Sequence, residues 1–136
     1  MAKRRLAAMY FFVLAGAIVG WWTLLLAAPA ARPYFAIRDA PFVTVGSFAF
    51  GDLGIIAIGA ALVGARDGRG WAFYAAWLVS GALLYATCFV LAAAVTGISS
   101  PLGACLMVPA SVASLIASAI LNGDAHADSL PPRSSA

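Results

Sequence analysis

Glutamate and glutamine are absent from this chain, and lysine, histidine and asparagine occur once each. Only 10% of the 136 residues are charged, while 64% are hydrophobic. A soluble domain carries about 25% charged and about 45–50% apolar residues. A chain this short cannot enclose the surplus in a water-soluble core. A soluble monomer is therefore excluded, and so is a disordered chain, which requires low hydrophobicity. The mean hydropathy of +0.98 points to a bilayer as the solvent.

The other scarcities remove whole classes of chemistry. The one histidine, His126, lies near the C-terminus, which excludes a buried Ser-His-Asp or Cys-His pair. No glycine-rich phosphate loop follows a strand pattern. Cys88 and Cys105 both fall inside apolar runs. Their spacing gives neither a metal site nor a disulfide framework, so they read as small hydrophobes. The net charge of +3 is too thin and scattered for a nucleic-acid footprint. Asp124, His126 and Asp128 alternate in the tail, but without a further ligand they make no metal site. No catalytic residue, cofactor, metal or nucleic-acid partner is expected.

What is present is four long apolar runs, at residues 6–28, 42–65, 71–97 and 102–121. Each is long enough to cross a hydrocarbon core of ~30 Å as a helix rising ~1.5 Å per residue. A membrane β-barrel would need ~10-residue segments of strict alternation, and the runs show none. The gaps contain Pro29, Pro33 and Pro41, the polar turn Arg66-Asp67-Gly68-Arg69-Gly70, and Gly97 to Pro101, with Pro101 placed to start a helix. Connections this short make neighbours antiparallel. The expected fold is an all-α, integral-membrane, four-transmembrane-helix bundle with up-down-up-down topology. Residues 1–5 form a basic N-terminal segment. Residues 122–136 form a tail expected to be disordered, with Asn122-Gly123 closing the last helix. The basic start and Ala28-Pro29-Ala30 have the outline of a signal peptide. A signal's apolar stretch is only ~7–15 residues long, so the first run is read as a retained span.

Cations set the orientation. Lys3, Arg4, Arg5, Arg66, Arg69 and Arg133 fall on one side, and only Arg32 and Arg38 on the other. Both termini are therefore expected in the cytoplasm. Arginine outweighing lysine, with abundant alanine, suggests a bacterial inner membrane. Trp21, Trp22, Tyr34 and Phe35 on one side, and Trp71 and Tyr74 on the other, read as interfacial anchors.

Asp52 is the sharpest chemical feature. It lies ten residues into the second run, about 15 Å deep at ~1.5 Å per residue. A carboxylate there costs a few kcal/mol on insertion scales, so it must keep a proton or find a donor. By depth, its level coincides with Ile18, Thr87 and Val112. The expected partners are Tyr85, Thr87 and Ser111, with Ser114 nearby. Such a polar layer would bind a proton, a cation or a polar ligand head, or would simply fix helix register. Pro109 removes the amide that would bond the Cys105 carbonyl, so a kink is expected there. Gly16-x-x-x-Gly20 and Ala60-x-x-x-Gly64 are small-residue spacings that let helices approach closely. They point to packing within the bundle, or to a face for a second copy or another membrane protein. An exposed Arg38-Asp39 pair completes the list.

The length and span number resemble those of the small multidrug exporters. That family relies on a carboxylate in its first helix, and residues 6–28 hold none. Three functions remain: a non-catalytic accessory subunit or homo-oligomer packed through small-residue faces, a small-ligand or proton/cation binder or carrier built on Asp52, and an intramembrane enzyme acting on a lipid-like substrate. Membrane lipids are the expected environment of all three. Replacing Cys88 and Cys105 and placing single cysteines at Arg32 and Arg66 tests the topology. A membrane-impermeant thiol reagent should reach the two positions from opposite sides, and labelling from one side would overturn the scheme.

Overall fold

The computed structural model describes residues 2–31, 42–65 and 71–128. The chain is an all-α bundle of four antiparallel helices, all long and apolar enough to span a membrane. It is an integral membrane protein. Helix α1 is Ala2–Ala27, and it carries the basic segment as its first turn. A short 3-10 turn, Pro29–Ala31, follows it. Helix α2 is built from three pieces: an α-helical part Phe42–Gly51, a π-helical segment Asp52–Ala57 and an α-helical part Ile58–Ala65. Helix α3 is Ala72–Val95 and α4 is Pro101–Asp128. The end of the bundle holding the α1–α2 and α3–α4 connections is called the upper end below.

The α3–α4 connection follows its sequence closely. Gly97 adopts φ +75°, a left-handed conformation that glycine enters without a Cβ penalty. The Ile98 amide donates to the Ala93 carbonyl at 2.9 Å, and the Gly97 amide to Ala94 at 3.1 Å. These two bonds make a Schellman C-cap. Pro101 then opens α4, with Ser100 Oγ accepting from the Leu102 amide at 3.4 Å. At the other end of α4 the expected stop at Asn122-Gly123 does not occur, and the helix continues to Asp128. Among the described residues Gly97 is the glycine with positive φ. Gly123 therefore supplies no left-handed cap, and Ala125 and Ala127 are strong helix formers. The tail from residue 129, the loop bearing Arg32, Tyr34, Phe35, Arg38 and Asp39, and the Arg66–Arg69 turn lie outside the described residues.

The core has two parts. In the lower half, Phe11 and Leu14 of α1, Ile56, Ala60 and Val63 of α2, Val79 and Leu83 of α3, and Ala117 and Leu121 of α4 make one four-helix cluster. In the upper half, Trp22 and Leu25 of α1 meet Val45 and Ala49 of α2, with no buried residue from α3 or α4. The π segment accounts for this split. On an unbroken helix Val45, Ala49, Asp52, Ile56, Ala60 and Val63 would form one stripe. An extra residue in one turn rotates the rest by roughly 100° relative to a ~3.6-residue helix. The lower stripe then faces the bundle centre, and the upper stripe faces α1 alone.

Two glycines set the approach of α2 to its neighbours. A Cβ built on Gly64 would sit 2.9 Å from Phe12 Cβ and 3.0 Å from the Ala8 carbonyl oxygen. One on Gly59 would sit 2.6 Å from Val79 Cγ2. Ala60 is fully buried in the four-helix cluster. Gly16 and Gly20 are exposed, and a Cβ on either meets nothing within 4 Å. Their face points away from this chain's own bundle. Gly64→Val should therefore cost about 1–3 kcal/mol by overpacking, read as a lower unfolding midpoint in nanodiscs. Gly16→Val should leave that midpoint within about 0.5 kcal/mol.

Candidate functional site

The candidate site lies in the upper half of the bundle, where α2 leans on α1 and departs from α3 and α4. Asp52 opens the π segment. Its Oδ2 accepts a hydrogen bond from Trp22 Nε1 at 3.0 Å. An indole N–H is a donor only and is rarely buried without an acceptor, so the two groups satisfy each other across the α1–α2 interface. Trp22 is buried, and the interfacial-anchor reading of Trp22 is corrected accordingly. The depth argument placed Asp52 level with Ile18. Trp22 is one helical turn above that level on the same face, within reach of a long indole.

Of the residues expected around Asp52, Thr87, Ser111 and Ser114 bond other hydroxyls instead. Thr87 Oγ1 and Ser111 Oγ are 2.6 Å apart, and Thr87 also donates to the Leu83 carbonyl at 2.7 Å. Ser114 bonds Ser80, and Ser80 and Ser118 hydroxyls are 2.9 Å apart. These five hydroxyl side chains are buried and form a ladder along the α3–α4 seam, turned away from Asp52. The polar layer exists, but Thr87, Ser111 and Ser114 serve helix association rather than the carboxylate. Tyr85 cannot share the seam, because two residues' separation from Thr87 turns it about 200° round a ~3.6-residue helix. It is 78% exposed, and no hydrogen bond joins it to Asp52. The pair on which intramembrane acid–base chemistry would rest is therefore not assembled.

Pro109 lies inside α4 as expected. Hydroxyls reach the carbonyls on either side of it rather than that of Cys105. Tyr10 OH donates to the Ala110 carbonyl, and Thr87 Oγ1 approaches that of Met107 at 3.4 Å. Tyr10 thus ties α1 to α4. A lone phenol in an apolar span, like the indole, carried that signal in the sequence.

Between the upper parts of the four helices lies a cavity of about 620 Å³, within the range of small-molecule sites. Its walls are almost wholly apolar, and among the described residues Asp52 is the one charged group lining it. Trp21, Trp22, Phe48, Tyr85 and Phe89 supply aromatic faces. Its exposed lining residues lie on all four helices: Ala17 of α1, Ser47, Phe48 and Ile55 of α2, Tyr85 and Phe89 of α3, and Leu106 of α4. The Phe48 and Phe89 rings, with centroids 5.3 Å apart, meet between α2 and α3. Ser99 also lines the cavity. Its Oγ is buried and has no hydrogen-bond partner. No residue pattern signals this cavity, because it depends on the π segment's rotation. Among the described residues no cluster of His, Cys, Asp or Glu could hold a metal. The Asp124, His126 and Asp128 side chains are not among those described.

Comparison of the chain with known protein families, curated proteins and solved structures finds no match.

The Asp52–Trp22 bond yields a stability prediction. A hydrogen bond to a charged or partly buried group contributes about 1–3 kcal/mol. Trp22→Phe should lower unfolding stability in nanodiscs by that order and should cost clearly less in an Asp52→Leu background. A double-mutant cycle that closes with no coupling would show that the two side chains do not act together.

Proposed function

We propose that this protein binds an amphipathic small molecule within the membrane, in the cavity of its upper half. One observation carries the reading. A space of about 620 Å³ is held open by a break in helical geometry, and polar atoms lie in an otherwise apolar wall. Pockets that bind small molecules have this make-up, an apolar lining with a few placed polar groups that fix orientation. Asp52 and Trp22 form one such point, and the unpartnered Ser99 hydroxyl forms a second. Helix packing alone explains neither: a register-fixing acid would be closed over by neighbours, and a packing turn would leave no orphaned hydroxyl. We further place the protein in a bacterial cytoplasmic membrane with both termini inside, on the cation count. In that orientation the cavity lies in the outer half of the bilayer.

Assembly is the second reading, supported by the α1 face that Gly16 and Gly20 leave uncovered. Glycines at this spacing favour close helix pairing in lipid. On this reading the Gly16→Val chain, stable as a monomer, loses self-association in nanodiscs or native gels.

Binding is tested with the neutral fluorophore N-phenyl-1-naphthylamine, titrated into nanodiscs with and without protein. A saturable fluorescence increase near one site per chain is expected. Ala86→Phe, which projects a ring into the cavity, should weaken it by roughly tenfold or more, since one phenyl group displaces most of a small ligand's contact area. Ile55→Phe at the rim provides a second blocking variant on an exposed position. Fluorescence that only follows partitioning into empty discs would overturn the proposal.

A further inference from the structure

A polar side chain in the middle of a membrane helix turns inward or finds a partner, because hydrocarbon offers its hydrogen-bonding groups nothing. The serines and threonine of the α3–α4 seam obey this by closing on one another, and Tyr10 obeys it by donating to the Ala110 carbonyl of α4. Tyr85 departs from it. It is 78% exposed, and among the described residues nothing accepts a hydrogen bond from its phenol. It lies thirteen residues from Ala72 and ten from Val95, the ends of α3. At ~1.5 Å per residue the nearer end is about 15 Å away, too far for a phenol to reach the headgroups. Its surroundings on α3 have a pattern of their own. Leu78, Gly81, Tyr85, Cys88, Ala92 and Val95 follow steps of three and four, and all are exposed. That is the spacing of knobs-into-holes packing between two helices. Small residues, Gly81, Cys88 and Ala92, stand around the large one, and a Cβ built on Gly81 meets nothing within 4 Å.

We infer that α3 pairs with α3 of a second copy of this chain in a parallel, two-fold dimer, each Tyr85 filling the space beside the partner's Gly81 and donating to a backbone carbonyl there. The strip is self-complementary: it carries both the unsatisfied donor and, one turn below, the bare backbone that can accept it. A two-fold axis satisfies both donors at once. Helical side chains lean toward the N-terminus, which directs the phenol down to the Gly81 turn. A helix carbonyl keeps a second lone pair after its own helical bond, and Tyr10 already uses one in this way across α1 and α4. Copies inserted in the single orientation set by the cations meet in parallel. The area is sufficient. Tyr74, Leu78, Tyr85 and Val95 are 68%, 67%, 78% and 81% exposed, which offers roughly 500 Å² per chain. Two copies together reach the ~1,000 Å² that a specific interface needs. This surface is separate from the Gly16/Gly20 face of α1, and the inference does not depend on the cavity.

The full chain in membrane vesicles provides the test. Cys105→Ala leaves Cys88, on the strip, as the one thiol, and copper–phenanthroline oxidation should link two chains through it. With both native cysteines replaced by alanine, single cysteines at Gly81 and Ala92 should also cross-link. Single cysteines at Leu84 and Leu91, exposed on the neighbouring face of α3, should cross-link far less. Counting chains per vesicle by single-molecule photobleaching, over a range of protein-to-lipid ratios, gives the dissociation constant. Tyr85→Phe removes only the hydroxyl and should raise that constant about five- to tenfold, the effect of losing two interhelical hydrogen bonds. Gly81→Ile should raise it tenfold or more by holding the helices apart. Its unfolding midpoint in nanodiscs should not fall, since the new side chain meets nothing in its own chain. A chain that stays monomeric at every ratio overturns the inference. So does a Tyr85→Phe dimer as tight as the wild type, or cross-linking at Leu84 and Leu91 equal to that at Cys88. A dimer that Gly16→Val abolishes and Gly81→Ile leaves intact has its interface on α1, and the α3 pairing then fails.

Discussion

A carboxyl group embedded in a membrane helix needs a donor, and in this protein the need is met from one side only. Asp52 at the helix centre would cost on the order of 3 kcal/mol on insertion scales. The indole N–H of Trp22, at 3.0 Å, offsets a large part of that, since hydrogen bonds to charged groups contribute about 1.5–3 kcal/mol. The bond also dictates geometry. It ties the upper part of α2 to α1, and the π segment that begins at Asp52 supplies the rotation that lets Val45 and Ala49 follow. The consequence is a bundle with four-helix packing below and helix-pair packing above. The space between is the cavity.

The lower half is held differently. Hydrocarbon tails are as apolar as leucine, so helices in lipid associate through close packing and interhelical hydrogen bonds rather than hydrophobic exclusion. Gly59 and Gly64 bring α2 against α3 and α1 at distances that admit no side chain. The ladder of Ser80, Thr87, Ser111, Ser114 and Ser118 zips α3 to α4. Interhelical bonds in membranes average about 0.6 kcal/mol each, so the ladder contributes a few kcal/mol at most. Its larger effect is on register: a slip of one residue would bury several unpaired hydroxyls at once.

The two halves differ in how far the sequence discloses them. Span number, helical class, the Gly97 turn and the Pro101 start follow from composition, periodicity and cap chemistry, which are local properties. The π segment does not, because glycines at 51 and 54 weaken a helix without saying how it will yield. Once it is missed, the face of everything above it is assigned to the wrong neighbour. Trp22 was hidden by an average: tryptophans near a span end are usually interfacial anchors. Two facts in the chain argued otherwise, namely that an indole needs an acceptor when buried and that Asp52 is the one intramembrane acid. Tyr85 and Thr87 could have been separated by angle alone. Depth fixes which residues share a layer, but only the helical phase decides which of them face each other.

A cavity within the membrane-spanning part of a protein changes what recognition would mean. A ligand arriving from the bilayer would already have left water, so filling an apolar wall would gain it little over remaining among acyl chains of equal polarity. Area burial, which drives binding from solution, cannot discriminate here. Selectivity must come from the few atoms that differ from lipid: the Asp52 carboxyl, the Trp22 indole, the aromatic faces around them and the Ser99 hydroxyl. In a site of this kind the polar minority carries nearly all of the specificity.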